Sequence, residues 1–137
     1  MDDIARLSAT DRRDLFTATA EQRALVAAIV EKDFWVCCTL KRLFALPDPR
    51  ANLIFKGGTS LSKVFNAIER FSEDVDLSFD RAGLGFGEGK DPLAAPSRKK
   101  RQEWVKELAA TCQGAIRDRF LPQLTAVFAA ALETPAG

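Results

Sequence analysis

Histidine and tyrosine are both absent from the 137 residues of this chain. The missing imidazole excludes a Ser-His-Asp or Cys-His nucleophile system, a histidine general base and any zinc site built on imidazole ligands. Catalysis must then rest on carboxylates, lysines, hydroxyls or a metal ion. Cysteine is scarce: Cys37, Cys38 and Cys112 are odd in number and fall within helical patterns, which reads as reduced, buried thiols rather than a disulfide framework. An excess of either charge is lacking as well. Lys+Arg 20 against Asp+Glu 19 leaves a formal charge of +1, so any contact with a polyanion has to be local. No apolar run reaches the ~20 residues of a membrane span, and the acidic start MDDIARLSAT is unlike a secretory signal. The expected compartment is the cytoplasm, with no membrane partner.

What is present is an ordinary globular composition, 47% hydrophobic and 28% charged, which predicts one domain over residues 1–137. Helix starts are expected at Ser8 or Thr10, and again at Thr19, where Gln22 completes a capping-box pattern. Val26, Val30, Phe34, Cys37, Leu40 and Phe44 then recur at helical spacing until Pro47, which predicts a long helix with one broad core face. The period changes next. Asn52-Leu53-Ile54-Phe55 is a short apolar run before Gly57-Gly58 and reads as a buried strand, after which Thr59 is expected to cap a helix carrying Leu61, Val64, Phe65 and Ile68.

Asp74-Val75-Asp76-Leu77-Ser78-Phe79-Asp80 alternates without a break and predicts a strand with Val75, Leu77 and Phe79 on its buried face. Residues 82–97 are rich in Gly, Pro and Ala and are expected to form a flexible loop or flap. Ser97 should open a helix with Trp104, Leu108, Cys112 and Ala115 on one side, and Pro122 should break or restart it. The expected fold class is α/β in the α+β sense, a small mixed sheet flanked by helices. So few strands leave that sheet incomplete, and its exposed edges would favour self-association.

The strongest chemical signal is the pair Asp74 and Asp76. Two residues apart on a strand, their carboxylates share a face with Cα atoms ~6.6 Å apart, suited to a hard cation. Aspartate weakens a strand, so two in one alternating segment call for a reason. Gly57-Gly58-Thr59 lies between a strand and a helix N-terminus, where free backbone N–H groups and the helix dipole favour a phosphate. Together they describe a phosphate cradle beside a metal-binding carboxylate pair. Leu84-Gly85-Phe86-Gly87-Glu88-Gly89-Lys90 fits neither a phosphate-binding loop nor a dinucleotide fingerprint, since Leu84, Asp91 and Glu88 occupy the wrong places. Arg98-Lys99-Lys100-Arg101 is a basic patch at a helix start, read as a solvated face that would also suit an RNA backbone.

The stretch Phe55-Lys56-Gly57-Gly58-Thr59-Ser60-Leu61-Ser62-Lys63, followed by Arg70-Phe71-Ser72-Glu73-Asp74-Val75-Asp76-Leu77, resembles the signature of the AbiEii-type nucleotidyltransferase toxins, within the DNA polymerase beta-like superfamily. Glu31-Lys32-Asp33-Phe34-Trp35-Val36 resembles a segment of that family's N-terminal helix. The resemblance covers about residues 25–80. It implies that Asp74 and Asp76 bind magnesium and align an attacking hydroxyl, and that Gly57, Gly58 and Thr59 hold a nucleoside triphosphate. Lys63, Arg70 and Ser72 become phosphate or structural partners. It further implies nucleotide transfer to an RNA acceptor such as tRNA, and a cognate antitoxin protein.

Family members are about twice as long and carry a third carboxylate and a lysine on later elements, which leaves this chain resembling their N-terminal half. Neither can be placed on this sequence: Glu103, Glu107 and Asp118 fall in a helical pattern, and Asp80 is on the same strand as the first two aspartates. The alternative function is a non-catalytic remnant that binds nucleotide or a partner.

Overall fold

The computed structural model describes residues 1–46, 53–63 and 74–133. Helices α1 (Asp2–Ala5), α2 (Ala9–Arg23) and α3 (Ala27–Leu43) precede strand β1 (Leu53–Lys56) and the short helix α4 (Gly57–Lys63). Strand β2 (Asp76–Phe79) follows, then a 3-10 turn at Pro92–Ala94, helix α5 (Arg98–Ala115), a π-helical turn (Ile116–Phe120) and helix α6 (Leu121–Leu132). The architecture is α+β and mostly helical, as the patterning predicts.

Two of the expected helix starts are present. Ser8 Oγ accepts the Asp11 N–H at 3.1 Å and donates to the Asp11 carboxylate at 2.7 Å, capping α2. Ser97 Oγ likewise accepts the Lys100 N–H at 3.1 Å and caps α5. The start expected at Thr19 is overturned, because Thr19 sits inside α2 and its hydroxyl donates to the Leu15 carbonyl at 2.8 Å. The break between α2 and α3 falls instead at Ala24, which takes a left-handed φ of 53° while the Leu25 N–H reaches back to the Ala20 carbonyl at 2.9 Å. Val26 accordingly lies before α3 and is 64% exposed, outside the core stripe expected for it.

β1 and β2 pair antiparallel, with Leu53 opposite Phe79, Ile54 opposite Ser78, Phe55 opposite Leu77 and Lys56 opposite Asp76. Alternation then decides what is buried. Val75, Leu77 and Phe79 pack on the cluster of Leu43, Leu46 and Leu53, joined by Phe120, Leu124 and Val127 from the C-terminal helices. Phe79 meets Phe120 edge-on with ring centroids 5.7 Å apart. On the opposite face of the hairpin stand Ile54, Lys56, Asp76 and Ser78.

The helical run restarts at Pro122, which stands in the first turn of α6. A proline ring cannot approach the carbonyl four residues earlier, and the wider π-turn at Ile116–Phe120 absorbs the mismatch before α6 begins. α1 is tied down by polar contacts. Asp2 takes ion pairs from Lys41 at 3.2 Å and Arg42 at 3.1 Å, and Arg6 donates to the Ala131 carbonyl of α6 at 2.8 Å. Arg42 is buried, donates to the Cys38 carbonyl at 2.9 Å and lies 5.2 Å from the Phe128 ring centre.

Residues 82–97 are fastened at several points. Phe86 is buried, Arg81 pairs with Asp91 at 2.9 Å, Lys90 pairs with Glu107 at 2.5 Å, and Arg101 donates to the Pro92 carbonyl at 3.1 Å. No helix among the described residues is long and apolar enough to cross a membrane.

Candidate nucleotide and metal site

The site is built where the hairpin ends and α4 begins. Register places Lys56, the last residue of β1, directly opposite Asp76, the first of β2. Gly57 follows Lys56 with φ at +81°, a left-handed backbone that turns the chain out of the strand and into α4. The helix therefore begins at Gly57. Thr59, expected as its cap, is its third residue, and the left-handed turn at Gly57 sets the boundary.

Asp76 closes onto this turn. A Cβ at Gly57 would lie 2.8 Å from Asp76 Cγ, 3.0 Å from Asp76 Cβ and closer still to Oδ2, so the carboxylate occupies the space a side chain would need. Glycine is favoured at this position by its φ and by this contact together. Asp74 stands two residues earlier, exposed and just ahead of β2 rather than within it as the alternation predicts. The structure thus brings Gly57 and Asp76 into contact and sets Asp74 two residues outside the strand pairing.

Ser60 was not among the expected site residues. It is buried, and its hydroxyl donates to the Phe55 carbonyl at 3.4 Å, fastening α4 to the strand before it. Lys63 forms an ion pair with Asp33 of α3, which links α4 to the long helix. Asp33 belongs to the Glu31–Val36 segment, so that pair links two stretches that the resemblance connects only by family. Cys37 lies one turn further along α3, and burial pushes its thiol pKa up. Arg70 and Ser72 lie outside the described residues.

The carboxylates considered for a third ligand are engaged elsewhere. Asp80 accepts the Ala82 N–H at 3.2 Å, Glu103 pairs with Lys100 at 3.0 Å and Glu107 pairs with Lys90. Asp118 is held by Arg117 at 2.7 Å, a hydrogen bond that lowers the Asp118 pKa and raises that of Arg117. Among the described residues, no group of three or more His, Cys, Asp or Glu side chains converges on one point. The donor set that fits a hard cation is the pair of aspartates, whose oxygens are the ligands magnesium takes. Of the basic run, Lys100 pairs with Glu103 and Arg101 binds loop carbonyls.

No curated protein and no solved structure gives a significant match to this chain. A family model described as nucleotidyl transferase AbiEii toxin, type IV TA system, matches residues 39–136. The matched span takes in the glycine turn and both aspartates, leaves Glu31–Val36 outside, and runs through α5 and α6, well past the stretch that carries the resemblance. With most of its length matched in this way, the chain belongs to the AbiEii nucleotidyl transferase toxins of type IV toxin–antitoxin systems.

Proposed function

We propose that this chain is a magnesium-dependent nucleotidyltransferase that moves a nucleotide from a nucleoside triphosphate to an RNA acceptor such as tRNA, in the cytoplasm. The observation that carries the reading is the Asp76 carboxylate resting on Gly57, beside the backbone turn that opens α4. Asp74 and Asp76 would hold magnesium. Held by those carboxylates, magnesium would supply neutralisation of the triphosphate charge and Lewis acidity.

The chain's own groups do the rest. Gly57 and Gly58 let the backbone approach the phosphates closely, and the first N–H groups of α4, with Thr59, are donors without helical partners. Most of the rate gain comes from positioning and charge neutralisation, so the absence of histidine costs this chemistry nothing. Membership of a type IV toxin–antitoxin family implies an antitoxin partner. The outer edges of the two-stranded sheet, unpaired among the described residues, would also suit self-association.

A second reading is a chain that binds nucleotide or a partner without turnover. Its support is that no third carboxylate joins Asp74 and Asp76 among the described residues. One experiment separates the two. The chain is incubated with magnesium, tRNA and each α-labelled nucleoside triphosphate in turn, and magnesium-dependent nucleotide binding is followed by calorimetry. Label on the RNA supports the enzyme; binding without label supports the second reading; neither overturns both.

A further inference from the structure

Lys56 and Asp76 face each other across the hairpin, yet no ion pair joins them. Directly opposed residues in an antiparallel pair have Cβ atoms ~5 Å apart, close enough for a lysine and an aspartate to meet. Asp76 instead leans over Gly57, filling the space beside that residue's Cα. Both head groups are exposed, and neither makes a hydrogen bond or ion pair with another described residue. Lys63, by contrast, is already committed to Asp33.

From this geometry we infer that Lys56 is a triphosphate-binding residue, its ammonium contacting a phosphate held between the Gly57 turn and a cation on Asp76. The inference rests on the nucleotidyltransferase reading and adds to it a residue and a role. The charges explain why the pair stays open. A lysine beside a metal-binding carboxylate opposes the cation when the site holds metal alone, and favours the polyanion that arrives with it. Lys56 therefore selects for the metal–triphosphate complex over the free ion. It sits on the last residue of β1, so the sheet pairing rather than a loop fixes its Cα relative to Asp76.

The test compares the full chain with Lys56→Gln and Lys56→Arg, titrating inorganic tripolyphosphate in the presence of magnesium, and magnesium alone, by calorimetry. Lys56→Gln should weaken tripolyphosphate binding about tenfold, the effect of one lost charged hydrogen bond, and leave magnesium binding equal or tighter. Lys56→Arg should recover most of the loss. Tripolyphosphate affinity unchanged in Lys56→Gln overturns the inference. So does a loss of both ligands together, which marks a structural role, or a loss in Lys56→Arg as large as in Lys56→Gln. A wild-type chain that binds neither tripolyphosphate nor any nucleoside triphosphate overturns the nucleotidyltransferase reading as well.

Discussion

Gly57→Ala isolates the contact on which the site is built. In most turns that tolerate it, replacing glycine by alanine stabilises a protein through the unfolded chain; here the sign reverses. An L residue at φ +81° pays ~1–2 kcal/mol for the left-handed backbone. Its Cβ would also stand 2.8 Å from Asp76 Cγ, so the carboxylate must swing aside, at a further cost of ~0.5–1.5 kcal/mol for a displaced rotamer. The sum is a destabilisation of ~1.5–3.5 kcal/mol.

The two contributions are separable. In an Asp76→Ala background the carboxylate is gone, leaving the backbone cost and the milder 3.0 Å approach to the Cβ at position 76, so the same glycine substitution should cost ~1 kcal/mol less. Urea unfolding of the four proteins, with slopes checked for constancy, measures the coupling directly. Additivity within ~0.3 kcal/mol would refute the packing of Asp76 on Gly57.

At Ala24, a left-handed position held by a residue other than glycine, the opposite substitution should help: Ala24→Gly relieves the backbone and should raise stability by ~0.5–1 kcal/mol in urea unfolding, net of the entropy glycine loses. The Lys63–Asp33 pair, with both side chains about a third exposed, should show a coupling of only ~0.2–1 kcal/mol in a double-alanine cycle, smaller at ~1 M salt. A hydrogen bond from Lys41, assisted by the charges of Lys41, Arg42 and the N-terminus, holds the Asp2 carboxyl below its ordinary pKa. A depressed folded-state pKa means stability that is full above the ordinary aspartate value of ~4 and lost as pH falls through the folded value. Melting curves taken down to pH ~2.5 should therefore fall less steeply for Asp2→Asn than for the parent chain.

Much of this fold was written in short-range pattern. The alternation through Val75, Leu77 and Phe79 named the buried face of β2 because side-chain direction on a strand depends only on parity. Ser8 and Ser97 were legible as caps because a cap is a contact between residues three apart. Thr19 misled for the same reason: its local pattern suits a cap, but the turn that ends α2 forms at Ala24, whose left-handed backbone no glycine announces. At the site, the glycines and aspartates were visible one by one. Their meeting was not, because antiparallel register is a property of two segments, and nothing local in either states that Lys56 faces Asp76 or that Gly57 leaves room for its carboxylate. Lys56 passed as one letter of a motif until that pairing gave it a position.

The central claim is that Asp74 and Asp76 serve nucleotide transfer through a metal ion. Its most direct test is the rate of magnesium-dependent label transfer from a nucleoside triphosphate to tRNA by the full chain, compared with Asp74→Asn and Asp76→Asn proteins of matched melting temperature. Each substitution keeps the side-chain shape and removes the charge that holds the cation, so transfer should fall by about two orders of magnitude or more, the scale of losing one electrostatic contact in a transition state. Transfer that persists unchanged in both variants would contradict it.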